Sequence, residues 1–300
     1  MGTPLGNQPG TILVQGTTRQ FPVPSCSLTA EDARRLYKIL EGKAQRAANH
    51  QVGRVKRLPG QKDEELEQVK KNVLSWLKTF ITVYDSVGGW TATTDDQVLA
   101  DLSLPDRVTG IVFDSAALFR NHVKIEPDNS FKVTLDFSTT PILDLTNLSI
   151  SPDANKSSVW ISGTNDAWVK SLNDDLRNFF KTRKSARAWL HSRYPYDIAL
   201  WVFGIPMSVL SVYRIDRFLK LSLSLGIPVA TIVCFFLFFL YVLFFRITFN
   251  YPKWLFPKIE GPSRRPWAVF HKTFLAIIGT SLVAYVVESC IRMIRNWIRG

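Results

Sequence analysis

From Leu221 to Phe245 the chain runs 25 residues without a charged side chain. As an α-helix that run reaches about 37 Å, more than the roughly 30 Å hydrocarbon core of a bilayer. Its second half is crowded with Phe235, Phe236, Phe238, Phe239, Phe244 and Phe245, and Gly226 and Pro228 fall in the first two turns, where a proline disturbs a helix least. A buried helix of a soluble protein rarely needs so long an uncharged stretch, so the run predicts a transmembrane helix over 221–245.

A second span is expected at 273–291, broken only by Glu288 near its end. Ala276, Thr280 and Ala284 recur every fourth residue, a spacing that lets two helices approach closely. Glu288 and Arg292 continue that stripe in an order suited to an i,i+4 ion pair at the membrane edge, where Arg295 and Arg299 also lie. Between Tyr196 and Tyr213 the pattern is ambiguous. Ile198–Tyr213 is uncharged but reaches only about 24 Å and contains Pro206. It reads as an extra span, a re-entrant segment or an interfacial helix within a juxtamembrane region, 191–220.

Charge follows the same division. Residues 1–60 carry nine Lys/Arg against three Asp/Glu, residues 61–180 eleven against eighteen, and residues 181–300 seventeen against four. The net +12 therefore sits at the N-terminus and beside the apolar runs. A basic chain often binds nucleic acid, but the acidic middle argues against that here. Basic flanks beside spans point to anionic lipid headgroups. Lys181, Arg183, Lys184, Arg187 and Arg193 alternate with Trp189, and a basic-aromatic loop over 246–272 adds Trp254, Arg264, Arg265 and Trp267. Tryptophan prefers the headgroup level, so these are the expected membrane-interface residues. With two spans or three, the Lys/Arg excess falls on the side of the N-terminal domain, which predicts a cytoplasmic domain on a multi-pass protein of a plasma membrane or bacterial inner membrane. No basic stretch followed by an apolar run opens the chain, so no signal peptide is expected.

The N-terminal region reads as an α+β domain over 27–190, behind a flexible arm, 1–26. Thr29 and Asp32 form a capping-box pattern ahead of a helix with Ala33, Leu36, Tyr37, Leu40, Ala44 and Ala47 on one face. A basic break over 53–60 leads to a second helix expected over 63–85, making an αα-hairpin. Residues 88–106 read as an acidic loop. Strands are expected at 108–113, 123–125, 131–137 and 159–162; Phe131, Val133, Leu135 and Phe137 alternate with Lys132, Thr134 and Asp136 as in a half-buried antiparallel strand. A closing helix should present Trp168, Val169, Leu172, Leu176, Phe179 and Phe180 to the core. The basic tail, 292–300, ends the chain.

Chemistry is sparse. Asp95, Asp96, Asp101 and Asp106 lack the spacing of a calcium loop, and the single soluble cysteine, Cys26, has no partner for an intradomain disulfide. Gly163-Thr-Asn-Asp166 places backbone N–H groups where an anion could bind, but lacks the further glycines of a nucleotide fingerprint and is more simply a helix cap. His50, His122, His191 and His271 form no metal-ligand pair. No catalytic residue, metal or cofactor is expected. The pattern fits a membrane-anchored binding, sensor or interaction module, with a protein partner or self-association through the spans. An oligomerising, membrane-permeabilising effector and a membrane-anchored enzyme with a non-local site are the competing readings.

Overall fold

Six strands form one antiparallel sheet, and the reason is visible in how burial alternates along them. The computed structural model describes residues 16–57, 59–100, 104–105, 108–139, 155–191, 193–219, 227–261, 270–271 and 273–274. The chain divides into two units, Met1–Phe137 with Lys156–Ser185, and Ser138–Asn155 with Ala186–Gly300.

The first unit contains β1 (Thr17–Pro22), β2 (Cys26–Ser27), α1 (Ala30–Gly53), α2 (Asp63–Trp76), β3 (Phe80–Asp85), β4 (Trp90–Thr93), β5 (Val108–Asp114), α3 (Ala117–Val123), β6 (Asn129–Asp136), β7 (Ser158–Gly163) and α4 (Asp166–Thr182). The sheet order is β1-β7-β6-β5-β3-β4. Phe131, Val133 and Leu135 of β6, Ile111 and Phe113 of β5, Ile81 and Val83 of β3, and Val159 and Ile161 of β7 are buried, while the intervening Lys132, Thr134, Val112, Thr82 and Trp160 are more exposed. With a side-chain period of two, this gives the sheet one core-facing side. That side meets α1 and α4, whose Leu36, Leu40, Ala44, Val169, Leu172 and Leu176 are almost fully buried. Lys43 ties the two helices together through Asp175 at 2.5 Å and Ser171 at 2.6 Å.

The capping box forms as expected: Thr29 Oγ1 accepts from Asp32 N–H and Asp32 Oδ2 accepts from Thr29 N–H, both at 3.1 Å. Strands β5, β6 and β7 and the buried face of α4 also agree with the sequence reading.

Five expectations need correction. Residues 17–22 of the expected arm are β1, an edge strand in register from Thr17↔Gly163 to Pro22↔Ser158; an edge strand needs little apolar pattern, which is why Thr-Thr-Arg-Gln did not announce it. The helix expected over 63–85 stops at Trp76, and Phe-Ile-Thr-Val-Tyr becomes β3, because β-branched and aromatic residues suit a sheet whose neighbour, β5, is already apolar. The acidic loop contains β4 and a 3-10 turn, Asp96–Leu99. Residues 123–125 form no strand: α3 ends there, with Lys124 in the left-handed region at φ 64°. The helix expected to end at Phe245 continues to Leu255, replacing the first ten residues of the expected 246–272 loop.

In the second unit a 3-10 turn, Ala188–His191, precedes α5 (Arg193–Ala199), a π turn (Leu200–Gly204), α6 (Ile205–Leu219), α7 (Ile227–Leu255) and β8 (Ile259–Glu260). The π turn answers the difficulty posed by Pro206. A proline ring clashes with the carbonyl four residues back, and the widened turn, in which Ile205 N–H donates to Leu200 O, lets the helix pass it. Helix therefore continues across the ambiguous segment, and Tyr196–Arg217 becomes 22 residues long and apolar enough to cross a membrane, as does Val229–Leu255 with 27. Only 11% and 6% of their most apolar stretches are buried, so neither is the core helix of a globular unit.

The two helices run antiparallel. Gly204 approaches Phe245 so closely that a Cβ would sit 3.2 Å from its ring, while Tyr196, earlier in the chain, meets Phe249, later in the chain, at 5.1 Å between ring centroids. The span expected over 273–291 and the basic tail lie outside the described residues apart from Thr273 and Phe274.

Candidate functional site

The Gly163–Asp166 turn was the one place where the sequence suggested an anion site. Three donors at the turn and the start of α4 are used within the protein. Thr164 N–H donates to Asp128 O at 2.9 Å, Asn165 N–H to Asn129 Oδ1 at 3.3 Å, and Trp168 N–H to Asn165 Oδ1 at 3.1 Å. Asn129 is buried and sits where a Cβ on Gly163 would fall, 2.3 Å from its Oδ1. Around it Gln51 accepts from Asp128 N–H at 2.9 Å and Arg54 pairs with Asp128 at 2.6 Å. The glycine thus admits a protein amide, and the turn caps α4.

The acidic residues are likewise engaged. Asp95 caps the 3-10 turn through Gln97 N–H at 3.0 Å, and Asp96 lies 3.7 Å from Arg34. Asp101 and Asp106 lie outside the described residues, among which no group of His, Cys, Asp or Glu is arranged to hold a metal ion. The histidines take structural contacts: His50 with Asn129 at 3.4 Å, His122 stacked on Trp76 at 4.7 Å, His191 with Phe256 O at 2.8 Å and His271 with the Tyr251 hydroxyl at 2.6 Å.

Near the end of α4, charge is organised around Asp32. Burial pushes its carboxyl up, but hydrogen bonds from Arg183 at 2.6 Å and from Thr29 outweigh this and hold it below the ordinary value of 3.8. Arg183 also lies 3.9 Å over the Phe179 ring. Burial raises the adjacent Cys26 thiol to about 12, opposed only in part by Arg183, so the group is a protonated core side chain at neutral pH. Tyr37 is raised to about 12 by burial and by Glu41, Asp96 and Asp95, and its hydroxyl donates to Thr94 O at 2.7 Å.

The second unit holds a cluster that the sequence reading did not single out. On α7, Arg246, Asn250 and Lys253 fall at i, i+4 and i+7, on one helical face, and are 1%, 0% and 3% exposed. Tyr196 of α5 is buried against them, with Lys253 Nζ 5.9 Å from its ring and 5.3 Å from that of Phe249. Arg187 lies 4.1 Å over the Phe256 ring. This is a polar and aromatic layer at one end of the helix pair, with Asp197 beside Tyr196. Its signal was present in the sequence: extending the helical period past Phe245 puts the three polar residues in one stripe.

The expected interface residues divide accordingly. Trp189 is 63% exposed, Arg187, Lys181 and Lys184 are exposed, and Trp254 stacks on Tyr251 at 5.9 Å. Arg183 is committed to Asp32 and Phe179 inside the first unit, and Arg193 opens α5. Arg264, Arg265, Trp267, Ala276, Thr280, Ala284, Glu288 and Arg292 lie outside the described residues. No family model, curated protein or solved structure matches this chain.

Proposed function

We propose that this is a multi-pass membrane protein whose N-terminal α+β unit is a cytoplasmic interaction module, anchored by the α5–α7 helical hairpin. The observation that carries the anchoring is the outer surface of that hairpin: Trp201, Phe203, Ile232, Phe235, Phe236 and Phe244 are each at least 60% exposed. A surface so apolar and continuous is at home among lipid tails. In this reading the antiparallel pairing would return the chain to its starting side after two crossings, and the Lys/Arg excess beside the first unit favours the cytoplasm for that side.

The interaction role rests on the open edge of the sheet. Edge strands are ordinarily blunted by Lys, Pro or a bulge. β4 instead carries Trp90, 68% exposed, paired across the ladder with Tyr84, and the hairpin tip exposes Val87. An extended segment of a partner protein could add to this edge with an apolar side chain against Trp90.

Membrane anchoring is tested by ultracentrifugation of lysate after alkaline carbonate extraction. The full chain should stay in the pellet; recovery of folded protein in the supernatant overturns the anchoring. For the module, a photoreactive residue at Thr91 of the full-length protein in its membrane should give a discrete crosslinked species that Trp90→Ser removes. Crosslinks unchanged by Trp90→Ser would refute the edge as the docking site.

A further inference from the structure

Two independent helices change character at the same level. Along α7, every residue from Ile227 to Phe245 is uncharged, and apart from Thr231 the exposed side chains from Val229 through Phe244 are large and apolar. At Arg246 both surfaces switch: the inner face becomes Arg246, Asn250 and Lys253, and the outer face presents Thr248, exposed, its hydroxyl donating to Phe244 O at 2.9 Å. Along the partner helix the exposed apolar series starts at Ile198, one residue past the half-buried Asp197 and two past Tyr196, which packs on Phe249. On the polar side of this level lie exposed Trp189 and Arg187.

We infer that the layer of Tyr196, Arg246, Asn250 and Lys253 marks where the hairpin meets the phospholipid headgroups, and that Arg246 fixes the depth of insertion. This rests on the anchoring proposed above and adds a register to it. The uncharged part of α7, 19 residues from Ile227 to Phe245, spans about 28 Å, close to a hydrocarbon thickness of roughly 30 Å. Sliding the hairpin deeper would carry Arg246, Asn250 and Lys253, with Asp197 of the partner helix, toward the bilayer centre, where charge is costly. Sliding it outward would bring the exposed phenylalanines into water. Arg246 is the first charge on α7 that deeper insertion would submerge, so it acts as a positioning residue.

The test uses full-length protein in nanodiscs of phosphatidylcholine and phosphatidylglycerol, with Cys26→Ala, Cys234→Ser and Cys290→Ser as background. Single cysteines at exposed positions are then labelled with a membrane-impermeant maleimide. Phe236→Cys and Phe244→Cys should react at least tenfold more slowly than Thr248→Cys. Adding Arg246→Leu makes the run apolar through Phe249 and should draw α7 in by about one turn, roughly 5 Å, slowing Thr248→Cys at least tenfold. Arg246→Lys, which keeps a charge able to snorkel, should restore fast labelling. Rapid labelling of Phe236→Cys would refute insertion itself, and with it the proposed function. A protected Phe236→Cys with Thr248→Cys also protected, or a labelling rate that Arg246→Leu leaves unchanged, would overturn the register alone.

Discussion

Replacing Asp32 should weaken the first unit through two separable effects. In the folded chain its carboxylate completes the capping box with Thr29 and receives Arg183 Nε at 2.6 Å, with both side chains 19% exposed. Loss of the hydrogen bond that Asp32 returns to Thr29 N–H costs about 1 kcal/mol, and loss of the charge-assisted bond to Arg183 about 1.5–3 kcal/mol. Asp32→Ala removes both, so a total of about 2–4 kcal/mol is expected. Asp32→Asn keeps a capping oxygen and loses the ion pair, so about half of that is expected. A chain of two units does not unfold as one two-state transition, so the measurement should be local. Native-state hydrogen exchange of β6 amides in the nanodisc-embedded protein fits, because each 1.4 kcal/mol accelerates exchange through global opening of the unit about tenfold. Asp32→Ala should accelerate it by roughly 30-fold to several hundredfold.

The pH dependence follows from the same contact. Because the folded carboxyl titrates below its ordinary 3.8, the stabilisation is fully present above that value and is lost as pH falls through the folded value. Wild type and Asp32→Asn should therefore converge only once pH has fallen below the folded value, itself under 3.8. β6 exchange within twofold of wild type for Asp32→Ala, or a stability difference that persists at low pH, would refute this account.

Three further outcomes are expected. Gly163→Ala would press a Cβ on Asn129 Oδ1 and Val169 Cγ2, at 2.3 Å and 2.9 Å, and should cost about 1–3 kcal/mol in the same exchange measurement. Cys26, buried and raised to about 12, should resist maleimide at pH 8 in the folded protein and react fully once denatured, as mass spectrometry of the labelled chain would show. Gly204→Leu would drive a side chain into Leu200 and Phe245, 3.0 Å and 3.2 Å from its Cβ, and should separate the helix pair, read as loss of a disulfide engineered between α6 and α7.

The fold was legible wherever a local pattern and the tertiary environment agreed. Alternation in Phe131–Phe137, the Thr29/Asp32 cap and the apolar stripe from Trp168 to Phe180 carry their meaning within a few residues. Phe80–Tyr84 does not: its apolar residues satisfy a helical period as well as an extended one, and only pairing with β5, nearly 30 residues away, decides between them. β1 was hidden for the opposite reason, because an edge strand can be polar and still be fixed by backbone hydrogen bonds. At the candidate site, the capping role of Asn165 was legible, but the part played by Asn129 depends on a contact 36 residues distant. Arg246, Asn250 and Lys253 were obscured by ending the apolar helix at the last phenylalanine, although helices commonly outlast the hydrophobic run that identifies them.

The π turn at Leu200–Gly204 amounts to one surplus residue wound into a helix, and that residue sets the angular relation between the two ends. Each α-helical residue contributes about 100° of rotation, so a chain lacking Val202 would regain regular pitch while turning Tyr196 away from Phe249 by more than a quarter circle. Single-residue deletions here should therefore be far more damaging than conservative substitutions at the same positions, and related chains that lack the surplus residue should place a different aromatic side chain opposite Phe249.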